Sequence, residues 1–272
     1  MNDVMLGRRF FSSIVLTFVV ILAVFFLPGW FFSLIVTLLI AFGLHEFYTL
    51  IEKKGLLIYK YFGIFIGVLL PITIFLRFEP TKGWELFFIT FVTFMLFIAQ
   101  FARRDSSQAI VGISTTMFGI FYVSWFFSFL IKIKYLPYGG ALVSFLLLVT
   151  KSGDIGAYFI GTKFGRHSLI PRISPSKSIE GTIGGLLCSV FAAAVSGIYL
   201  NQVPFVHLMT MGLGLGIIGQ IGDLCESLIK RDCNVKDSGT SLPGMGGVLD
   251  LIDSLLFSTP IFYFYISHFN LS

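Results

Sequence analysis

The sequence contains few charged residues. Asp, Glu, Lys and Arg make up 12% of its 272 residues, against about a quarter in soluble globular domains. Hydrophobic residues account for 56% of the chain, and the mean hydropathy is +0.91. So few charges cannot cover a water-facing surface, and so many apolar residues are untypical of a disordered chain. The composition therefore argues against both classes and predicts an integral membrane protein.

Several motifs of soluble enzymes are also missing. The three cysteines, Cys188, Cys225 and Cys233, lack C-x-x-C spacing, and the four histidines lack H-x-x-x-H spacing, so neither a disulfide framework nor a zinc site is indicated. The glycine-rich segment 230–247 contains no Walker A or G-x-G-x-x-G pattern, and the chain contains no G-x-S-x-G pattern, so neither a soluble nucleotide fold nor acyl transfer is indicated. The net charge of +5 does not indicate nucleic acid, because Lys and Arg occur in short clusters between apolar runs.

Long apolar runs predict an all-α fold, a polytopic membrane helix bundle of about nine transmembrane helices. The predicted spans are 10–27, 30–50, 56–76, 84–101, 109–131, 138–160, 179–200, 203–227 and 247–267. The basic clusters concentrate on one predicted side, so the positive-inside rule places the N-terminus in the cytoplasm and the C-terminus outside. We expect a protein of the cytoplasmic membrane, for which a homodimer would be ordinary.

The two parts of the chain differ in polarity. Residues 1–140 predict a hydrophobic membrane scaffold, and residues 141–272 predict a catalytic membrane region with cytoplasmic loops 161–178 and 228–247. Four acids lie within or at the ends of predicted spans: Asp154, Asp223, Asp250 and Asp253. An intramembrane carboxylate is costly unless it meets a cation, a metal ion or water, so each of these acids is a functional candidate.

The spacing of the acids predicts a metal site. Asp223 and Glu226 share a helix face, and Asp250 and Asp253 repeat this i, i+3 spacing on the next span. Two helices can therefore direct carboxylates at one another. Oxygen ligands without a supporting Cys or His set favour Mg²⁺ or Mn²⁺ over zinc. An ion-paired helix contact with a neighbouring lysine or arginine remains the alternative.

Two loops predict phosphate binding on the same side of the membrane. The segment KRDCNVKDSGTSLPGMGG, residues 230–247, combines basic side chains with glycines that let backbone amides approach an anion. The preceding loop brings further Lys and Arg residues and ends at Ser178, which could cap a helix N-terminus, a place that attracts phosphate. A solvated basic loop that only sets topology is the alternative interpretation.

The segment SLIKRDCNVKDSGTSLPGMGGVLDLID, residues 227–253, closely resembles the signature of phosphatidate cytidylyltransferases, also called CDP-diglyceride synthases. The upstream segments DIGAYFIGTKFGR and SPSKSIEG are similar to that family's other cytoplasmic block. The resemblance implies that CTP and phosphatidic acid react at the bilayer surface to give CDP-diacylglycerol and pyrophosphate. It also implies Mg²⁺ as the cofactor and leaves open a second metal ion.

The resemblance implies a role for each matching residue. The implied metal ligands are Asp223, Asp250 and Asp253, with Asp154 a weaker candidate. The implied catalytic residues are Lys230, Arg231, Lys236 and Asp237, of which the three basic residues would neutralise phosphate and Asp237 would fix a lysine or a ribose hydroxyl. The implied substrate-binding residues are Ser174, Lys177, Glu180, Gly246 and Gly247.

The chain departs from the family signature at two positions. Met245 stands where the family usually has His, and Leu251 where it usually has Arg. Methionine cannot donate to phosphate and leucine cannot pair with an acid. A noncatalytic paralogue therefore stays open beside an active enzyme, as does an ion or lipid transporter that uses the intramembrane acids.

Overall fold

The computed structural model describes residues 17–78, 83–239, 241 and 246–271, and within these ranges the chain folds into nine helices. Their bounds are Thr17–Phe26 for α1, Gly29–Lys53 for α2, Lys60–Phe75 for α3, Trp84–Phe101 for α4, Ala109–Lys134 for α5, Gly139–Phe164 for α6, Ile179–Ser196 for α7, Phe205–Asp232 for α8 and Val248–Phe269 for α9. Seven of these described helices are long and apolar enough to cross a bilayer; α3 is shorter, and α1 begins at the first described residue. The predicted all-α membrane bundle is confirmed, but nine crossings are not.

Helix α8 continues past the predicted end of its span at residue 227. It ends at Asp232, so Lys230 and Arg231 lie on its last turn and not in the 228–247 loop. Residues 228–232 contain no glycine or proline to stop the helix. Helix α8 ends where Asn234, two residues beyond it, adopts a left-handed backbone with φ of 56°. The connecting segment is therefore 233–247, which we call the α8–α9 loop.

A small hairpin interrupts the helical pattern between α6 and α7. Its antiparallel strands are β1, Ser168–Ile170, and β2, Ser174–Ser178, in a segment predicted only as a loop. The Ser178 hydroxyl accepts a hydrogen bond of 3.1 Å from the Gly181 amide and caps α7, as predicted. The hairpin carries Lys177 to the end of the bundle.

Small residues let the last four helices pack closely. On α8, Gly212 lies against Ala193 and Gly216 against Ser189, so a side chain at either glycine would overlap α7. This confirms close packing as the reason for the helical glycine spacing. Aromatic side chains fill the core between other helices, where Phe145 of α6 stacks on Phe262 of α9 with ring centroids 5.5 Å apart.

The basic segments of the chain meet at one end of the bundle. The Arg231 guanidinium donates to the Ile173 carbonyl oxygen of the hairpin turn at 3.2 Å. At the same end, Lys54 of α2 forms an ion pair with Asp232 of α8. The two basic loops of the C-terminal region therefore share a side, as predicted.

Candidate active site

Three carboxylates converge where α8 and α9 approach each other. Asp223 and Glu226 lie one turn apart on α8, Asp253 lies on α9, and one oxygen from each is within 4.8 Å of the others. The close approach depends on Gly222, because a Cβ there would lie 2.7 Å from the Asp253 carbonyl oxygen. We call Asp223, Glu226 and Asp253 the acidic cluster.

Two lysines flank the acidic cluster. The Lys177 ammonium, from β2, lies 2.6 Å from Asp223 Oδ2. The Lys230 ammonium lies 2.5 Å from Glu226 Oε2 and 2.6 Å from Asp250 Oδ1. Glu226 is fully buried, and the lysines partly offset the repulsion among the acids.

The acidic cluster has the donor chemistry of a divalent cation site. Within the described part of the chain, neither carboxylate oxygen of Glu226 has a hydrogen-bond partner, although both are buried. The Lys230 ammonium forms an ion pair with Oε2 at 2.5 Å, so Oε1 is the oxygen that meets no cation among the described residues. Buried carboxylate oxygens with unused lone pairs suit Mg²⁺, which prefers oxygen ligands. These residues therefore fit the metal ion that the sequence predicts.

Asp250 lies beside the acidic cluster with a different set of partners. Its Oδ2 accepts hydrogen bonds from the Gly247 amide at 2.8 Å and from the Ser238 amide and hydroxyl at 3.0 and 2.8 Å. Its other oxygen accepts from Lys230. These contacts cap α9 and fold the α8–α9 loop back onto that helix. Metal binding by Asp223, Asp250 and Asp253 stays a prediction, and the structure adds Glu226 to the carboxylates that lie together in the acidic cluster.

Asp154 meets a lysine that the sequence patterns did not select. The Lys151 ammonium donates to Asp154 Oδ2 at 3.0 Å, to Ser254 Oγ at 2.9 Å and to the Leu251 carbonyl oxygen at 3.1 Å. Its three N–H groups are thereby engaged, so Lys151 fixes α6 against α9 and has no donor left for phosphate. The sequence could have indicated Lys151, because it is a charged residue inside the predicted span 138–160.

The remaining predicted site residues lie in the hairpin, on the first turn of α7, on the last turn of α8 and in the α8–α9 loop. Glu180 holds the hairpin, because its carboxylate accepts from the Arg166 amide at 3.0 Å and lies 2.6 Å from His167 Nδ1. Arg231 donates to the carbonyl oxygens of Ile173 and Val235. Lys236 and Asp237 are exposed on the α8–α9 loop, Ser174 is buried at the start of β2, and Gly246 and Gly247 precede α9.

Gly246 and the two departures from the family signature lie close to the start of α9 in the sequence. Gly246 has a left-handed backbone with φ of 97°, which its lack of a Cβ allows. The predicted departure at Met245 lies outside the described residues. Leu251 offers its backbone carbonyl, not its side chain, to the Lys151 ammonium.

The N-terminal region also reaches the site. Glu46 of α2 is only 4% exposed, and its carboxylate accepts hydrogen bonds from the α8–α9 loop and from the first turn of α9. The sequence could have indicated Glu46, because it is an acid inside the predicted span 30–50. The surrounding region was interpreted as scaffold, so Glu46 was not selected.

Comparison with known proteins places the chain in a family. The model of the cytidylyltransferase family matches residues 7–269. A phosphatidate cytidylyltransferase of Thermotoga maritima is 37% identical over 211 residues, covering 75% of this chain and 76% of that protein. A phosphatidate cytidylyltransferase of Synechocystis is 30% identical over 269 residues, covering 88% and 89%.

A further relative carries no assigned activity. The uncharacterized Escherichia coli protein YnbB is 32% identical over 273 residues, covering 98% of this chain and 88% of that protein. The family match spans both the N-terminal helices and the site, so the resemblance predicted from residues 227–253 extends to nearly the whole chain. The chain belongs to the cytidylyltransferase family.

Proposed function

We propose that this chain is a phosphatidate cytidylyltransferase, a nucleotidyltransferase of phospholipid biosynthesis. It would transfer a cytidylyl group from CTP to phosphatidic acid and release pyrophosphate. The observation that carries the proposal is the acidic cluster flanked by Lys177 and Lys230 at the end of a membrane bundle where the basic segments meet. Relatives that cover three quarters or more of this chain are named for the same activity.

The charge balance of the site supports one divalent cation. Five carboxylates belong to the cluster and its ion pairs: Asp154, Asp223, Glu226, Asp250 and Asp253. Three ammonium groups face them: Lys151, Lys177 and Lys230. The two unbalanced negative charges equal the charge of one Mg²⁺. Asp223, Glu226 and Asp253 would hold this ion, which would neutralise charge on the nucleotide phosphates and the departing pyrophosphate.

The reaction joins two anions and needs positioning more than proton transfer. A phosphate monoester with a second pKa of about 6 is largely dianionic at neutral pH, so the lipid phosphate is already a nucleophile. One of its oxygens forms a bond to the α-phosphorus of CTP, and the bond from that phosphorus to the bridging oxygen breaks. The electron pair leaves with pyrophosphate.

The basic residues of the site have the task of overcoming repulsion between the two substrates. Lys177 and Lys230 lie next to the carboxylates, and Lys236 is exposed on the neighbouring loop. Arg231 uses Nε and one terminal nitrogen on carbonyl oxygens, which leaves guanidinium donors for phosphate. We assign these four cations to the phosphates of the nucleotide and the lipid.

The proposal also includes an orientation of the protein in the membrane. The acyl chains would remain in the bilayer between helices, with the phosphate at the interface. The N-terminus and the site would face the cytoplasm in the cytoplasmic membrane, and the C-terminus would lie outside. A transport function is less well supported, because among the described residues the acidic cluster is flanked by Lys177 and Lys230, a combination that suits an anionic phosphate substrate.

The test is product formation by the purified protein in detergent with labelled CTP, phosphatidic acid and Mg²⁺. We expect CDP-diacylglycerol from the parent, none with EDTA and at least about a hundredfold less from Asp223→Asn, as for loss of a group that stabilises transition-state charge. Asp232→Asn is the matched control, because Asp232 lies on the same helix but pairs with Lys54 at the surface. A folded parent without product would favour the noncatalytic or transport alternatives.

A further inference from the structure

Glu46 is a buried acid of α2 whose partners lie in the C-terminal part of the chain. Its Oε1 accepts a hydrogen bond from the Ser241 hydroxyl at 2.5 Å. Its Oε2 accepts from the Leu249 amide at 2.9 Å, and the Ser238 hydroxyl lies 3.3 Å away. Glu46 therefore binds both the α8–α9 loop and the helix that follows it.

The carboxylate of Glu46 is held by hydrogen-bond donors and not by a basic side chain. Within the described ranges, no lysine or arginine forms an ion pair with it. The Leu249 amide belongs to the first turn of α9, where a negative charge interacts favourably with the helix dipole. A buried charge without a counterion depends on such donors, so Ser241 and Leu249 must stay in place beside Glu46.

Two glycines of the loop leave the space that Glu46 occupies. A Cβ at Gly239 would lie 2.5 Å from Glu46 Oε1, and a Cβ at Gly247 would overlap Oε2. The glycines of this loop, which the sequence associates with phosphate, thus also accommodate an acid from the N-terminal region. This close contact requires Gly239 and Gly247 to lie beside Glu46 of α2.

A short chain of contacts joins Glu46 to the lysine beside the acidic cluster. The single hydroxyl proton of Ser238 can serve only one strong acceptor, and Asp250 Oδ2 at 2.8 Å is closer than Glu46 at 3.3 Å. The other oxygen of Asp250 binds Lys230 at 2.6 Å. Movement of the loop away from α2 would therefore disturb Asp250 and Lys230 together.

We propose that Glu46 is a positioning residue for nucleotide binding, which anchors the α8–α9 loop so that Lys236 and Lys230 face the phosphates of CTP. This inference depends on the proposed cytidylyltransferase function. Glu46 acts through the loop and touches neither substrate. The N-terminal helices then contribute to the site as well as to the membrane scaffold.

The experiment compares the KM for CTP and kcat among variants of Glu46 in the full-length protein. Glu46→Ala removes both acceptors, so we expect the KM for CTP to rise at least about tenfold with kcat changed less than about threefold. In Glu46→Gln the amide oxygen can accept from Leu249, and the amide nitrogen can donate to the Ser241 hydroxyl once that hydroxyl reverses its role. Glu46→Gln should therefore restore a KM near the parent value.

The control is Glu52→Ala, because Glu52 lies on the same helix and pairs with Lys60 at the surface. If Glu46→Ala does not fold, Ser241→Ala supplies the test by removing the hydrogen bond from the loop to Glu46 Oε1 and should also raise the KM for CTP. A parent-like KM in the folded Glu46→Ala or Ser241→Ala variant would overturn the proposal. An inactive parent would instead contradict the proposed function, so the two failures are distinguishable.

Discussion

Replacement of Lys230 by methionine tests whether ion pairing is what permits a buried acid on α8. Lys230 bridges Glu226 and Asp250 at 2.5 and 2.6 Å. The exposed fractions of the Lys230, Glu226 and Asp250 side chains are 13%, 0% and 14%. Methionine keeps most of the apolar stem and removes the ammonium. Glu226 then loses the cation nearest to it in a site from which water is largely excluded.

The expected loss of stability is large because one partner of a buried pair is left uncompensated. Such a change costs about 3–5 kcal/mol. In chains of this size each kcal/mol lowers Tm by about 2–4 °C, so Lys230→Met should unfold about 6–20 °C below the parent. Adding Glu226→Gln removes the uncompensated charge and should recover at least about 2 kcal/mol, measured as the coupling in a double-mutant cycle.

The assay is thermal unfolding of the four proteins of this cycle in one detergent with EDTA, since a bound cation would itself compensate Glu226. Lys163→Met, at the exposed end of α6, is the control and should change stability by less than about 0.5 kcal/mol. A Tm for Lys230→Met equal to that of the parent, or no recovery in the double variant, would refute the ion-pair reasoning.

Three further predictions concern the metal ion, Lys151 and the contact between α8 and α9. Replacing EDTA by MgCl₂ at about a hundred times its Kd should stabilise the parent by about 2.7 kcal/mol, and Asp223→Asn should lose most of this Tm shift. Lys151→Met removes charged hydrogen bonds that join α6 to α9, each worth about 1.5–3 kcal/mol, so Tm should fall by at least about 3–12 °C; a parent-like Tm would contradict this role. Gly222→Ala should lower Tm, because its Cβ would lie 2.7 Å from a carbonyl oxygen of α9, at a cost of about 1–3 kcal/mol. Gly214→Ala on the same helix meets nothing within 4 Å and should leave Tm equal or higher.

Hydropathy alone was enough to predict most of the fold. The span predicted at 84–101 coincides with α4 at both ends, and each other predicted span overlaps one described helix. The boundary error at α8 has a physical cause, since hydropathy reports where the bilayer ends and not where hydrogen bonding ends. Lys230 and Arg231 are charged, yet they are good helix formers, so the helix continues through them.

The site was predictable only in part, because spacing along a helix says which residues share a face but not which partner that face meets. The i, i+3 rule treated Asp250 and Asp253 alike, yet Asp250 lies in the first turn of α9 and accepts the loop amides. The contacts of Glu46 with Leu249 and of Lys151 with Ser254 join residues 203 and 103 positions apart. No local pattern in the sequence predicts such pairs.

The ion pairs within the site link metal binding to the availability of the lysine ammonium groups for substrate. Lys177 and Lys230 each contact a carboxylate of the acidic cluster, so the phosphates of a substrate must compete with Asp223 and Glu226 for the ammonium groups. A divalent cation on these carboxylates would weaken both ion pairs, since it neutralises the charge that holds the lysines. The lysines would then turn to phosphate at the moment when the metal ion is in place. The acids would thereby serve the proposed reaction twice, as metal ligands and as the groups that keep the two lysines paired until the metal ion binds.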